Sequence, residues 1–225
     1  MEIKIYSCSK CVGANVQFIN YGKTSSGKQR YQCTNCKATS VLKFTYNAYK
    51  QEVNKNIIQL TKEGLDIRST ARFLKISPTT LLSRIIKISE KISPPALAFG
   101  KMYELDEMRF FIKKKTRPFW LCYAINRENK QVVGFYIGRR TSRTLKAVVK
   151  TLQNAKATKI FTDKLKHYQY LIPKEQHSTK RFATNHIERK NLSIRTHLKR
   201  FQRKTIGFSK SIKLTMAVLK IYFWI

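Results

Sequence analysis

The sequence predicts a multidomain chain in which a cysteine-rich ribbon and a helical segment precede a layered α/β domain. Three observations along the 225 residues support this division. Four of the five cysteines form two closely spaced pairs near the start, the next segment has helical periodicity, and the remainder alternates aromatic and β-branched runs with helical stretches. A chain of this length has room for one large domain or for two to three small ones.

The cysteine-rich ribbon is predicted over residues 1–45. Each cysteine pair encloses two residues, as "CSKC" and "CTNC", and the four residues are Cys8, Cys11, Cys33 and Cys36. Two such pairs are typical of a tetrahedral zinc site, in which the metal replaces the core that so short a segment cannot form. The alternative, a redox-active pair, needs a single CxxC beside a βαβ unit, which this segment does not show.

Residues 46–92 are predicted to form short helices. Gly64 ends the first helix, Asp66 caps the second, and Ser77 with Pro78 begins the third. The last two helices resemble a helix-turn-helix, although an ordinary three-helix packing unit fits the same periodicity. In the helix-turn-helix interpretation, the third helix offers these residues to a DNA major groove: Thr79, Thr80, Ser83, Arg84 and Lys87. The proline-containing segment 93–100 is predicted to be a linker.

Residues 101–225 are predicted to form one layered α/β domain. Their order is three strands, a helix, a fourth strand and a helical C-terminal third. The predicted strands cover residues 102–112, 119–125, 131–137 and 157–163, and the helix covers 141–155. In such a sheet the first and fourth strands can lie side by side.

The charge of the chain is strongly positive and indicates a polyanionic partner. Lys and Arg number 46 against 12 Asp and Glu, which gives a formal net charge of +34. An anionic membrane surface is less favoured, because the sequence shows no signal peptide and no long uncharged span. Composition alone leaves histone-like packing and ribosomal binding open. The favoured interpretation is a soluble nucleic-acid-binding protein.

Three acids stand out in this basic background. Asp106 lies within the first strand of the α/β domain, Asp163 ends the fourth, and Glu188 is the sole acid in the last fifty residues. Brought together, three carboxylates would suit hard divalent cations, which prefer oxygen ligands and support phosphodiester chemistry. The alternative is a set of scattered structural acids, with Glu188 in a surface ion pair.

Three stretches carry a resemblance to a known family. "ELDEMRFFI", "FTD" and "TNHIERKNLSIRTHLKRFQRKTIGFSKS" resemble the signatures of the insertion-sequence-one family of bacterial transposases. The resemblance covers essentially the whole chain in the same module order. It implies a zinc ribbon plus a helix-turn-helix plus an α/β ribonuclease H-like (DDE) catalytic domain. Arg109 and Phe110 stand where the family usually has a tryptophan and a small hydroxyl residue.

On this resemblance Asp106, Asp163 and Glu188 would be the catalytic triad and would bind Mg²⁺ or Mn²⁺. Asp163 follows Asp106 by 57 residues, and Glu188 follows Asp163 by 25. His186 would position a phosphate or water, or would simply be an exposed neighbour. Basic residues of the C-terminal helices would hold DNA phosphates, and these are Arg189, Lys190, Arg195, Lys199 and Arg200.

The resemblance also implies the activity and the partners. The protein would bind the terminal inverted repeats of its own insertion sequence and would carry out DNA cleavage and strand transfer. Its partners would be double-stranded DNA and further copies of itself, as a homodimer or larger assembly, without a membrane. We expect it in the bacterial cytoplasm, associated with the nucleoid. The alternatives are a ribonuclease H-like nuclease or resolvase that never rejoins DNA, and a non-catalytic DNA-binding regulator derived from a transposase.

Overall fold

The structure, a computed structural model, describes residues 4–8, 10–11, 15–41 and 46–225. The chain divides into two compact units, Met1–Lys50 and Gln51–Ile225. Within the described residues, no helix combines the length and apolar character needed to cross a membrane.

The first unit is a small antiparallel ribbon. Its four strands follow one another in the sheet in chain order, and they are β1 (Lys4–Ser7), β2 (Asn15–Lys23), β3 (Gln29–Cys33) and β4 (Thr39–Ser40). Among the described residues of the ribbon, the buried hydrophobic cluster consists of Val16, Phe18, Cys8 and Cys33. A cluster of this size contributes little hydrophobic stabilisation, so the ribbon depends on its cysteines.

Three helices begin the second unit, and their bounds are α1 (Val53–Lys62), α2 (Ile67–Leu74) and α3 (Pro78–Glu90). The predicted caps are confirmed, because the Asp66 carboxylate accepts the Ser69 N–H at 2.9 Å and the Ser77 hydroxyl accepts the Thr80 N–H at 3.0 Å. Each cap satisfies a backbone donor that the helix itself leaves unpaired. The apolar sides of the three helices pack together through buried residues, including Ile57, Leu74, Leu81 and Ile85.

A five-stranded mixed sheet forms the centre of the second unit. Its strands are β5 (Met102–Ile112), β6 (Lys114–Asn126), β7 (Val132–Gly138), β8 (Lys159–Phe161) and β9 (His177–Ser178). The order across the sheet is β7-β6-β5-β8-β9, with β5, β6 and β7 antiparallel and with β8 parallel to both β5 and β9. The predicted contact between the first and fourth strands of this domain is therefore confirmed. Two-residue β9 was not predicted, because it is too short to show a periodicity.

Helices cover both faces of the sheet. The first face carries α4 (Ser142–Asn154) and α5 (Lys166–Leu171), which pack on alternate residues of β5 and β6 such as Leu105 and Cys122. The second face carries α6 (Asn185–His197) and α7 (Ile212–Trp224). The Tyr123 ring on this face stacks against Phe223 of α7, with ring centroids 5.8 Å apart. The result is a three-layer arrangement of the layered α/β type that the sequence predicted.

Helix α7 contacts the α1–α3 helices as well as the sheet. The Lys220 ammonium donates to the Ser89 and Ile92 carbonyls at 3.4 Å each, at the end of α3. On its other side, the Trp224 indole donates to the Val132 carbonyl of β7 at 2.9 Å. Residues 93–100 contain neither helix nor strand. The helical segment therefore meets the α/β sheet through α7 as well as through that connecting segment.

Gly64 brings the turn between α1 and α2 against the end of α6. Its φ of +77° lies in the left-handed region, and a Cβ there would stand 2.1 Å from the His197 carbonyl oxygen. The backbone conformation and the close approach both require glycine at this position.

Gly64→Ala should therefore lower the free energy of unfolding of the second unit by more than the cost of placing alanine in a left-handed backbone conformation. Gly100→Ala is the matched control, because Gly100 has φ +66° and its added Cβ would meet only Thr158 Oγ1 at 4.0 Å. We expect the control to lose about 1–2 kcal/mol and Gly64→Ala to lose about 1–3 kcal/mol more, measured by urea unfolding. Equal losses of stability in the two variants would show that the turn between α1 and α2 can move away from α6 at no cost in free energy.

Candidate functional site

Two of the predicted acids meet at adjacent strands. Glu104 of β5 pairs in register with Phe161 of β8. Two residues further along these parallel strands are Asp106, half-buried within β5, and Asp163, exposed just after β8. The strand pairing therefore brings the two carboxylates level with each other.

A hydrogen-bonded chain orients Asp106. One carboxylate oxygen accepts the Glu107 N–H at 2.7 Å, and the other accepts the Asn191 side-chain amide of α6 at 2.6 Å. The Tyr123 hydroxyl donates to the Asn191 side-chain oxygen at 2.9 Å and lies 3.2 Å from the Ile187 carbonyl. The Asn191 side-chain amide cannot rotate without losing its hydrogen bonds to both Tyr123 and Asp106. Asn191 therefore fixes the position of Asp106 relative to α6.

Glu188 lies in the first turn of α6. It acts electrostatically on Asp106, but it does not belong to the group of three carboxylates, Asp106, Glu107 and Asp163, whose oxygens lie within 4.8 Å of one another. Its side chain is exposed and accepts the Thr184 hydroxyl at 2.8 Å. The negative charge of Glu188 contributes to raising the pKa of Asp106, after burial and the charge of Asp163. The three predicted acids therefore share one electrostatic environment.

Buried Glu104 attaches the start of α6 to β5. One of its oxygens accepts the Ile187 N–H at 2.9 Å, and the other lies 2.5 Å from His186 Nδ1 and 3.4 Å from Arg127 Nε. A carboxylate at a helix N-terminus also interacts favourably with the helix dipole. Glu188 follows Ile187 directly, so this contact sets its position. His186 is thereby engaged by a carboxylate of the protein.

Glu107 joins the acidic cluster from the other face of β5. Oxygens of Asp106, Glu107 and Asp163 all lie within 4.8 Å of one another. Both Glu107 oxygens are buried and have no hydrogen-bond partner among the described residues. The nearest cation is Arg140, whose guanidinium lies 3.7 Å from Glu107 and 4.0 Å from Asp163.

Burial and mutual repulsion hold back the ionisation of two of these acids. Burial raises the pKa of Asp106 to about 6, and the charges of Asp163 and Glu188 add to the effect. Burial and the charge of Asp163 raise the pKa of Glu107 to about 7, against the opposing effect of Arg140. Packed carboxylates of this kind favour either protons or a cation.

The donor set suits a hard divalent cation. Oxygens on opposite sides of an octahedral Mg²⁺, at about 2.1 Å each, are about 4.2 Å apart, close to the 4.8 Å that bounds the three acids. All of the donors are oxygens, which matches the ligand preference of Mg²⁺ and Mn²⁺. The cluster can therefore close on one cation with small movements of its side chains.

A second donor set lies in the first unit. Cys8, Cys11, Cys33 and Cys36 converge, with their sulfurs within 4.8 Å of one another. The Cys8–Cys36 sulfur distance is 3.6 Å and the Cys11–Cys33 distance is 3.8 Å. Zinc–sulfur bonds of about 2.3 Å at tetrahedral angles separate sulfurs by about 3.8 Å. The four sulfurs thus have the arrangement that a tetrahedral zinc ion needs.

The predicted DNA-contacting side of α3 faces a cavity of about 1220 Å³ in the second unit. The cavity is bounded by α1, α3 and the end of α7. Two of its lining residues are hydrogen-bonded, because Arg84 donates to the Asn54 side-chain oxygen of α1 at 2.9 Å. The predicted residues that line it are Thr79, Thr80, Ser83, Arg84 and Lys87. The structure therefore gathers this predicted set on one concave surface.

The predicted C-terminal cations are less uniform. Arg189 and Lys199 are exposed, whereas Lys190 is half-buried. Arg195 is half-buried near Asp106, and its Nη1 has no hydrogen-bond partner among the described residues. Arg200 donates to the Ser209 hydroxyl at 3.4 Å and its burial lowers its pKa. The charge of Asp106 acts on Arg195 and opposes the effect of burial, which lowers the pKa of this guanidinium.

Three important residues were missed or left without a role in the sequence analysis. Glu104 and Glu107 flank Asp106, and only their alternation along one strand hinted that they face opposite sides. Asn191 follows Glu188 by three residues, a spacing that places both side chains near each other on a helix. That spacing is the signal from which its contact with Asp106 could have been inferred.

Replacing Glu107 by glutamine should reveal the cost of its buried charge. The pKa of glutamate is about 4.5 in the unfolded chain, and burial raises the pKa of Glu107 in the fold to about 7. Between these two pH values the folded protein therefore binds one proton more than the unfolded protein. Its free energy of unfolding falls as the pH rises through this range. Without added divalent cations, Glu107→Gln should exceed wild type in stability by up to about 3 kcal/mol at about pH 8. The gain should vanish below about pH 4.5; a gain that urea unfolding finds independent of pH would contradict this origin.

Two solved structures share a weak likeness with the chain. The simian T-cell lymphotropic virus intasome in complex with PP2A regulatory subunit B56 gamma aligns with a TM-score of 0.40 at 14% identity, over 72% of this chain and 66% of the other. The HTLV-2 integrase catalytic core domain in complex with magnesium aligns with a TM-score of 0.36 at 17% identity, over 57% of this chain and 86% of the other.

Sequence comparison gives a direct assignment. The insertion element iso-IS1n protein InsB of Shigella dysenteriae is 36% identical over 116 residues, which are 52% of this chain and 88% of that protein. The insertion element IS1 4 protein InsB of Escherichia coli (strain K12) is 33% identical over 150 residues, 67% of this chain and 85% of that protein. Residues 101–225 match the family model described as IS1 transposase. The chain therefore belongs to the IS1 family of transposases.

Proposed function

We propose that this transposase binds the terminal inverted repeats of its own insertion sequence and catalyses metal-dependent DNA cleavage and strand transfer. The observation that carries the proposal is the meeting of Asp106 and Asp163 at adjacent strands, beside a helix that presents Glu188. A buried contact from Glu104 and an amide contact from Asn191 hold that helix in place.

Asp106, Asp163 and Glu188 would hold Mg²⁺ or Mn²⁺ as the catalytic triad. Bound divalent cations activate an attacking oxygen and stabilise a leaving oxygen in phosphodiester chemistry. Exposed Asp163 and Glu188 each accept one hydrogen bond, from the Leu165 N–H at 3.0 Å and from the Thr184 hydroxyl at 2.8 Å, whereas half-buried Asp106 accepts two. Asp106 is therefore the anchor of the set.

The basic surroundings of the acids would hold the DNA backbone. Residues 101–225 contain 30 Lys or Arg and only seven acids. Arg195 has a buried nitrogen without a partner among the described residues and interacts electrostatically with Asp106. The half-buried Arg195 guanidinium would satisfy this donor if a phosphate oxygen displaced the groups that cover it. The cations would keep the phosphate backbone close to acids that would otherwise repel it.

Helix α3 would read the terminal repeats as the second helix of a helix-turn-helix. Its N-terminal half carries Thr79, Thr80, Ser83 and Arg84, and hydroxyl and guanidinium groups can donate to base edges in a major groove. The ribbon would hold a structural zinc ion and add phosphate contacts. Because transposition joins two ends, a homodimer or larger assembly on DNA would perform it.

Glu188→Gln tests the proposed triad, because it keeps the size of the side chain while removing the charge that cations need. DNA binding should survive, and cleavage and strand transfer of terminal-repeat DNA with Mg²⁺ should fall by about a thousandfold or more. Asp106→Asn and Asp163→Asn should behave alike, and double variants should be scarcely worse, because the residues act as a unit.

Glu175→Gln is the matched control, since Glu175 is an exposed acid outside the cluster. It should cleave and join DNA at the wild-type rate. Near-normal turnover of Glu188→Gln would place Glu188 in a surface ion pair. Cleavage without joined products from the wild type would favour a nuclease.

Arg84→Ala tests sequence reading by α3. If the guanidinium contacts a guanine edge, the variant should lose about 1–3 kcal/mol of preference for terminal-repeat over random DNA. Arg189→Ala, which alters an exposed cation of α6, should weaken binding to both DNAs alike and reduce the salt dependence of binding. Fluorescence anisotropy on both duplexes measures the difference, and equal losses for Arg84→Ala would argue against base reading.

Cys33→Ser tests the zinc site, because it removes the fully buried cysteine of the four. The wild type should contain one zinc per chain by elemental analysis, and the variant should lose both the zinc and the ordered amide signals of residues 15–41. Cys122→Ser leaves the ribbon cysteines intact and should keep the zinc. A zinc-free wild type, purified without chelator, would refute the site.

A further inference from the structure

Glu107 is a buried acid that the proposed triad does not use. Its side chain is 1% exposed, and neither oxygen has a hydrogen-bond partner among the described residues. Leaving a buried carboxylate without partners costs more free energy than leaving a neutral polar group unpaired. Such a group is expected to have a ligand in the functional state of the protein.

The neighbours of Glu107 do not satisfy it. Arg140 approaches only to 3.7 Å from Nε, beyond hydrogen-bond distance, and it also interacts with Asp163 at 4.0 Å and lies over the Trp120 ring. The buried hydroxyl of Tyr168 lies close enough to favour the charged form of Glu107 and so opposes the rise of its pKa, but it makes no hydrogen bond of good geometry among the described residues. Arg140 and Tyr168 therefore compensate the Glu107 charge only in part, and neither holds a carboxylate oxygen in a hydrogen bond.

The Glu107 carboxylate is aimed at the other two acids. One oxygen from each of Asp106, Glu107 and Asp163 falls within 4.8 Å of the others, whereas Glu188 lies outside this group and accepts a hydrogen bond from Thr184. Octahedral Mg²⁺ places opposite oxygens about 4.2 Å apart. Three carboxylates so arranged could hold a cation before Glu188 takes part.

We propose that Asp106, Glu107 and Asp163 form a first cation subsite that fills independently of Glu188, and that Glu107 is a metal ligand in addition to the triad. The inference rests on the proposed metal-dependent function and deepens it. Glu188, together with the shared aspartates, then serves a second cation. In this arrangement the two sides of β5 contribute to one site, because Asp106 faces α6 and Glu107 faces α4 and α5.

Mn²⁺ binding to the full-length, zinc-loaded protein without DNA tests the inference, with free Mn²⁺ measured by electron paramagnetic resonance. Glu107→Gln should weaken binding of the first Mn²⁺ by about tenfold or more. Glu188→Gln should leave the first Mn²⁺ affinity within about twofold of wild type and weaken only a second, lower-affinity event. Glu107→Asp, which keeps the charge on a shorter side chain, should fall between wild type and Glu107→Gln. Glu175→Gln should match wild type. A cooperative thermal unfolding transition before Mn²⁺ addition, at or above the wild-type temperature, should show that each variant is folded.

Wild-type affinity in a folded Glu107→Gln, combined with loss of binding in Asp163→Asn, would overturn the inference and leave the proposed function intact. Equal loss of the first Mn²⁺ in Glu107→Gln and Glu188→Gln would also overturn it, since the subsite would then not be independent of Glu188. A wild-type protein that binds no Mn²⁺ and cleaves no DNA would instead defeat the proposed function itself.

Discussion

The contact between the buried Glu104 carboxylate and the first turn of α6 is the interaction on which the site depends. Glu104 accepts the Ile187 N–H at 2.9 Å and lies 2.5 Å from His186 Nδ1. It satisfies a backbone donor that the helix leaves unpaired and does so inside the protein, where such a bond matters most. Because Glu188 follows Ile187 and Asn191 lies one turn further, the same contact positions both against Asp106.

The remainder of the site follows from strand geometry and charge. Parallel pairing of β5 with β8 brings Asp106 and Asp163 level, and the alternation of side chains along β5 sends Glu104 and Asp106 to one face and Glu107 to the other. These acids repel one another and are partly buried, which raises the pKa of Asp106 to about 6. The site is therefore costly without cations and is stabilised by binding them, at the centre of a strongly basic domain.

Much of this could be predicted from local signals. Asp66 and Ser77 predicted where two helices begin, because capping is a local interaction. The order of strands and helix in the α/β domain predicted that two strands distant in sequence, β5 and β8, can lie side by side. The roles of Glu104 and Glu107 could not be predicted in the same way. Both are acids within two residues of Asp106, and their difference arises only when α6 covers one face of β5 and Glu107 is left buried without a hydrogen-bond partner among the described residues. The burial of Arg200 beside Ser209 likewise depends on tertiary packing.

The central claim is that β5, β8 and α6 hold their carboxylates around shared cations. Anomalous diffraction from crystals of the zinc-loaded protein soaked in Mn²⁺ locates those cations directly. We expect manganese peaks, distinguished from zinc by data collected on either side of the manganese edge, between Asp106 and Asp163 with Glu188 completing the coordination. Manganese bound elsewhere on the chain, with the three carboxylates free of metal at saturating Mn²⁺, would contradict the account.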